Sequence, residues 1–159
     1  MKQIKELESF GKEIKGDLLF DYDLKKKNWF NIGGKAQIYF KPETLNELVL
    51  FLKKFSGEYR IFTLGAGSNI LLTDDKIIGA VIKLGKNFSN ISLLSNEKII
   101  AGSACTDKQV SDFAMENNIG GLEFLSCIPG TIGGGLRMNS GCFGSEFKDI
   151  LLSVQALDK

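Results

Sequence analysis

Between Gly120 and Gly144 the chain reads GGLEFLSCIPGTIGGGLRMNSGCFG, placing eight of its 18 glycines in 25 positions. A flexible linker would be polar, but here Leu122, Phe124, Ile128, Ile132, Leu136, Met138 and Phe143 are interleaved with the glycines. The backbone of a packed region must therefore come unusually close to something, and only glycine permits that. Within this stretch, Cys127-Ile-Pro-Gly-Thr-Ile-Gly-Gly-Gly135 combines the fixed φ of Pro129 with four positions free to take positive φ. We read it as a rigid wall bare of side chains, against which a flat aromatic ring could lie, packed by Ile128 and Ile132 and hydrogen-bonded by main chain. A structural glycine corner is the competing reading.

A second glycine loop, Gly65-Ala66-Gly67-Ser68-Asn69, follows the β-like run Arg60–Leu64. It lacks the third glycine of a dinucleotide fingerprint, which would fall at Ile70, and no Gly-Lys-Ser/Thr follows for a phosphate-binding P-loop. What remains is a turn whose backbone N–H groups can converge on an anion such as a diphosphate, with Ser68 and Asn69 adding donors. Taken alone, the pentapeptide reads first as an ordinary tight turn.

Composition narrows the chemistry. The 159 residues fit a single domain, and 43% hydrophobic with 25% charged residues is ordinary globular usage. Twenty Lys and Arg against 19 Asp and Glu leave a net charge of +1, so no nucleic-acid partner is implied. The chain contains no histidine, which excludes Ser-His-Asp and Cys-His nucleophile systems and most zinc geometries. Cys105, Cys127 and Cys142 lack metal or disulfide spacing, so no metal is expected and a reduced, cytoplasmic setting is. No apolar run is long enough for a membrane span, and no protein partner is implied.

Periodicity predicts a helix over residues 3–15 with Ile4, Leu7, Phe10 and Ile14 on one face and Gly16 as its C-terminal cap. An exposed connector is expected over Asp17–Lys27, and a strand over Ala36–Phe40. A helix opened by Thr44 and Glu47 is expected to bury Leu45, Leu48, Val49 and Leu52. Further strands are expected at 77–84, 90–94, 98–102 and 148–157, the second and third flanking a turn at Ser95-Asn96-Glu97. Thr106 and Gln109 should open a helix that buries Val110, Phe113 and Ala114.

The two loops, in this order and with Asn28-Trp-Phe-Asn-Ile-Gly-Gly-Lys-Ala36 upstream, resemble the UDP-N-acetylenolpyruvoylglucosamine reductase (MurB) family over roughly Asn28 to Leu157. The resemblance implies an α+β fold, the two-lobed FAD-binding domain of the vanillyl-alcohol-oxidase (PCMH) type, incomplete at its carboxyl end. Residues 1–27 would form an amino-terminal helix and connector, about 28–85 the first lobe and about 86–159 a truncated second lobe, with no substrate-binding domain. FAD is implied as cofactor and NADPH as co-substrate, with a UDP-sugar substrate for the parent enzyme. Gly65, Ala66, Gly67, Ser68, Asn69, Ile70 and Leu71 would grip the FAD diphosphate. Ile128, Pro129, Gly130, Thr131, Gly133 and Gly134 would line the isoalloxazine, and Asn139 and Gly141 are carried over as cofactor-binding. The family's catalytic Arg, Ser and Glu would lie beyond Lys159, so no catalytic residue is expected in this chain, which alone should be inactive. A non-catalytic nucleotide-binding fragment, or another flavin oxidoreductase of the same fold, is the alternative. Four positions depart from the family pattern: Trp29, Cys127, Gly135 and Phe143 stand for its Thr, Gly, Ala and Tyr. Cys127 is expected to be a small buried filler.

Overall fold

The structure, a computed structural model, describes residues 2–55 and 57–157, with side chains from Lys5 onward. The chain folds as two compact units. The first holds residues up to Leu64 together with Leu71–Gly85, and the second holds Gly65–Ile70 with Lys86–Ala156.

In the first unit, strands β1 (Asp17–Asp23), β2 (Lys35–Lys41), β3 (Ile61–Thr63) and β4 (Ile77–Ile82) form one sheet in the order β1-β2-β4-β3. β1 runs antiparallel to β2, and β4 lies parallel to both β2 and β3. Helices α1 (Lys2–Glu13) and α2 (Leu45–Phe55) belong to the same unit. Its core is aromatic. Phe51, fully buried, stacks on Phe40 with ring centroids 4.4 Å apart, and Phe10 meets Phe40, Phe51 and Phe55 at 5.7–6.0 Å.

Three expectations change here. The segment taken as a connector forms β1 from Asp17 to Asp23, whose alternation is hidden by acidic residues at both ends and by half-exposed apolar positions, as suits a sheet edge. On α2, Leu45 is 54% exposed and the buried face is Leu48, Phe51 and Phe55, one step around the helix from the stripe expected. Gly16 is no left-handed cap: α1 ends at Glu13, and Gly16 is required because a β-carbon there would strike the Lys41 carbonyl and come within 2.9 Å of Glu47 Oε2. That Glu47 is itself a buried tie. Lys15 N donates to its Oε1 at 3.0 Å, Glu43 N donates to its Oε2 at 2.9 Å, and its own N–H donates to Thr44 Oγ1 at 3.2 Å. Leu7 and Phe10 are buried as expected; the side chain of Ile4 lies outside those described.

In the second unit, β5 (Ile91–Ser95) and β6 (Lys98–Ala101) form the expected antiparallel hairpin. Helix α3 (Asp107–Glu116) opens with the expected capping box: Gln109 N donates to Thr106 Oγ1 at 3.2 Å, and Thr106 N donates to Gln109 Oε1 at 2.9 Å. A 3-10 turn (Glu123–Cys127), α4 (Ile132–Met138), the short pair β7 (Gly141–Cys142) and β8 (Ser145–Glu146), and α5 (Phe147–Ile150) follow. Phe143 and Gly144 both take positive φ, 53° and 86°, as a two-residue hairpin turn of type I′ demands. The core holds Cys105, Val110, Phe124, Leu125 and Phe147, with Phe124 and Phe147 edge to face at 6.4 Å. Phe113 is only half-buried.

The strand expected over 148–157 is not formed. α5 reaches Ile150, and residues 151–157 carry no regular structure, with Leu152 and Val154 exposed. An alternating sequence becomes a strand only beside a hydrogen-bonding neighbour, and none flanks this segment among the described residues. No helix among the described residues is long and apolar enough to cross a membrane.

Gly135, where the resembling family has alanine, shows what the local packing demands. A β-carbon there would collide with the ring of Phe147, a buried core residue. Gly135→Ala is thus an overpacking change here, expected to cost ~1–3 kcal/mol in urea unfolding. An unchanged or raised midpoint would show that the Phe147 ring has room to move.

Candidate functional site

The first loop leaves the sheet after β3, where Leu64 N donates to Ile82 O at 2.9 Å, and Gly65–Ile70 belong to the second unit. No helix follows; residues 70–73 carry no regular structure. Gly67 is buried at φ 75°, a left-handed conformation that turns the chain sharply and that side chains rarely adopt. Among the described residues no hydrogen bond engages the amides of Ala66 to Asn69, nor the side chains of Ser68 and Asn69. From Leu64 to Thr73 there is no charged residue of either sign. An unopposed set of backbone donors with no carboxylate near it in sequence suits an anion.

The second loop meets the first. A β-carbon on Gly65 would lie 2.7 Å from Thr131 Oγ1, so the Thr131 hydroxyl sits directly against the Gly65 backbone. The second loop is itself pinned along residues 103–107. Thr106 and Thr131 form a β-bridge, Ile132 N donates to Cys105 O and Gly133 N to Ser103 O, each at 2.9 Å, and Asp107 N donates to Gly130 O at 3.3 Å.

The reason for its glycines differs from the sequence expectation. None of Gly130, Gly133, Gly134 and Gly135 has positive φ. The last three lie in α4, and the whole set answers to close approach: Gly130 to Asp107, Gly133 to Ser103, Gly134 to Thr131 and Gly135 to Phe147. Packing against the chain's own residues, rather than positive φ, accounts for these glycines. Ile128 and Ile132 are half-buried and pack partly against the core of this unit, while Pro129 is exposed.

The structure brings Gly65 to Ile70 and Ile128 to Gly134 into one unit. Leu71, 75% exposed, falls in the first unit instead. Asn139 and Gly141 have local structural work. Asn139 is the left-handed cap of α4 at φ 48°, its Nδ2 donating to Glu146 Oε2 at 2.8 Å while its Oδ1 accepts from Lys148 N at 3.0 Å. A β-carbon on Gly141 would meet Ser145 O at 2.6 Å across the β7–β8 pair. Cys127 is exposed rather than a buried filler, its Sγ 3.7 Å from Ser126 Oγ, so it adds no bulk inside the loop.

Sequence reasoning missed Asp107. An acid in the first turn of a helix reads as a routine favourable charge at the N-terminus. In the structure Asp107 is fully buried, and neither carboxylate oxygen has a hydrogen-bond donor among the described residues. Burial raises its pKa from the ordinary 3.8 to about 6, with the Gly130 backbone partly opposing the rise. Only its neighbours in space, invisible in the sequence, make it unusual.

Comparison with known proteins agrees with this arrangement. Residues 36–159 match the family described as FAD binding domain. The UDP-N-acetylenolpyruvoylglucosamine reductase of Pelagibacter ubique is 64% identical over 156 residues, covering 98% of this chain and 52% of that protein. The Rickettsia akari protein of the same name is 49% identical over 145 residues, covering 91% and 49%. The crystal structure of UDP-N-acetylenolpyruvylglucosamine reductase (MurB) from Thermus caldophilus superposes with a TM-score of 0.65 at 27% identity, over 84% of this chain and 45% of that one. The chain spans about half the length of the relatives it matches. With the family matched over most of its length and the two glycine loops in place, the chain belongs to the FAD binding domain family, in the form carried by UDP-N-acetylenolpyruvoylglucosamine reductases.

Proposed function

We propose that this chain is the FAD-binding part of an NADPH-dependent flavoenzyme that reduces UDP-N-acetylglucosamine enolpyruvate to UDP-N-acetylmuramate for peptidoglycan. The observation that supports it most is the meeting of the two loops at Gly65 and Thr131, in a chain whose relatives carry that reductase's name. In this reading residues 28–85 and 86–159 are the two lobes of the FAD domain, residues 1–27 lead into the first, and residues 65–70 belong with the second. A cytoplasmic setting fits three free cysteines.

The residues fit the cofactor. The amides of Ala66 to Asn69 would hold the diphosphate, with Ser68 and Asn69 adding side-chain donors, and Gly67 would keep those amides convergent. Ile128, Pro129, Gly130, Thr131, Gly133 and Gly134 would face the ring with main chain and one hydroxyl, offering no titratable side chain to compete for a proton. When bound, FAD supplies the hydride store between NADPH and the enolpyruvyl methylene. The residues of this chain bind and orient; none is assigned to protonating the neighbouring carbon, a step whose acid typically contributes ~10²–10⁴ in rate.

The test separates binding from turnover. The FAD-loaded chain alone is expected to show no NADPH oxidation dependent on the enolpyruvyl substrate. A chimera in which it replaces the matching part of the Pelagibacter ubique relative is expected to show it. A chimera that holds FAD yet is inactive would favour the second reading, a non-catalytic flavin-binding fragment.

A further inference from the structure

We propose that Asp107 is a positioning residue for the second glycine loop: its buried carboxyl, set against Gly130, fixes where the Gly130–Thr131 backbone stands and thereby how that loop grips a flavin. The inference rests on the reading of this loop as part of the flavin site.

The geometry comes first. Asp107 is 0% exposed and neither oxygen has a well-formed hydrogen bond among the described residues, so a charge held there has only the Gly130 backbone to offset it. Its side chain faces the loop directly. A β-carbon on Gly130 would lie 2.5 Å from Asp107 Oδ2, and Asp107 N donates to Gly130 O at 3.3 Å, so backbone and carboxyl of one residue both bear on one glycine. The adjoining residues, Thr106 before Asp107 and Thr131 after Gly130, form the isolated β-bridge. A displaced Gly130 therefore carries with it Thr131, whose hydroxyl sits against Gly65. As a neutral acid, Asp107 has one O–H to donate, and the Gly130 carbonyl keeps a second lone pair. As a carboxylate it can only accept, so that pairing closes and only the Gly130 backbone contact that favours the charged form is left.

Among the described residues no charged side chain offsets it. Lys108 of α3 is engaged by Asp112 at 2.6–2.8 Å, Glu123 of the 3-10 turn accepts from Gly121 N at 3.1 Å, and Arg137 of α4 is exposed. The Cys105 thiol, buried two residues earlier, is pushed up by that burial and stays protonated. Burial and the Gly130 backbone alone account for the position of the Asp107 titration, near 6. The sign follows. The folded chain holds this proton more tightly than the unfolded one, so the group's contribution to stability is full below 3.8 and falls away as pH rises through about 6.

Two readouts test the proposal, one of them free of ligand. The amide signal of Gly130 in the FAD-free chain is followed by NMR from ~pH 5 to ~pH 8, in wild type and in Asp107→Asn, and the FAD dissociation constant is measured over the same range. The expected result is a Gly130 shift with its midpoint near 6 in wild type and none in Asp107→Asn. FAD affinity should weaken across the same midpoint in wild type and stay flat and tight in the asparagine variant, which is neutral at every pH and nearly isosteric. A wild-type Gly130 signal that does not titrate, or one that titrates identically in Asp107→Asn, overturns the proposal. If Gly130 titrates as expected but FAD binds at no pH, the flavin reading fails, and the inference about grip falls with it; the ligand-free signal distinguishes that failure from a failure of Asp107 itself.

Discussion

A chain carrying Gly67→Val is expected to leave gel filtration without flavin, under conditions in which the wild-type chain retains it. Gly67 is buried at φ 75°, and a β-branched residue held there costs ~1–3 kcal/mol. The loop can escape that cost only by rotating the amides of Ala66 to Asn69 out of register, the groups assigned to the diphosphate. If the strain appears entirely as lost affinity, the dissociation constant rises roughly 5- to 150-fold. Lys76→Ala makes the contrast. Lys76 is a cation, which a charge-driven site would need, but it is half-exposed and paired with Asp21, a surface contact worth ~0–1 kcal/mol. It should leave flavin retention unchanged. Equal retention by both variants, with native circular dichroism, would mean that backbone conformation at residue 67 does not hold the cofactor.

Phe51→Ala is the largest stability change expected anywhere in the first unit. Its ring is fully buried, stacked on Phe40 at 4.4 Å and 26°, and lies 5.2 Å from Phe55 and 6.0 Å from Phe10. Removing it opens a cavity bounded by three other rings, and large-to-small changes of this kind cost ~3–5 kcal/mol. That is a large part of the ~5–15 kcal/mol that holds an ordinary domain together. Leu45→Ala, at a position 54% exposed on the same helix, should fall within about 0.5 kcal/mol. Urea unfolding of both variants decides it, and a Phe51→Ala cost below that of Leu45→Ala would place the core on the wrong face of α2.

That comparison shows where the sequence is readable. The existence of α2 follows from Thr44 and Glu47 and from its apolar spacing, but seven of its eleven residues are apolar. Two stripes therefore overlap, and the aromatic partners Phe10 and Phe40, distant in sequence, choose the one through Phe51 and Phe55. β1 escaped notice for a related reason: an edge strand with half-exposed apolar residues between acidic ends looks like a charged connector until β2 is seen beside it. Residues 151–157 err in the other direction, since alternation without a neighbour makes no strand.

The candidate site was legible as two glycine loops because glycine spacing is local, and because a short turn with no lysine or arginine must use its backbone. The reason for each glycine was not legible. Gly130, Gly133 and Gly135 are fixed by Asp107, Ser103 and Phe147, contacts that span from 12 to 30 positions of sequence. For the same cause Asp107 looked ordinary. Its distinction lies wholly in what surrounds it, and sequence records only what precedes and follows.

The most direct measurement is the visible spectrum of the purified chain after incubation with FAD and gel filtration, with flavin and protein quantified in the same fraction. The account predicts flavin bands co-eluting with protein at close to one FAD per chain, lost on Gly67→Val and kept on Lys76→Ala. Folded chain that elutes colourless, with all FAD in the small-molecule fraction, would contradict it.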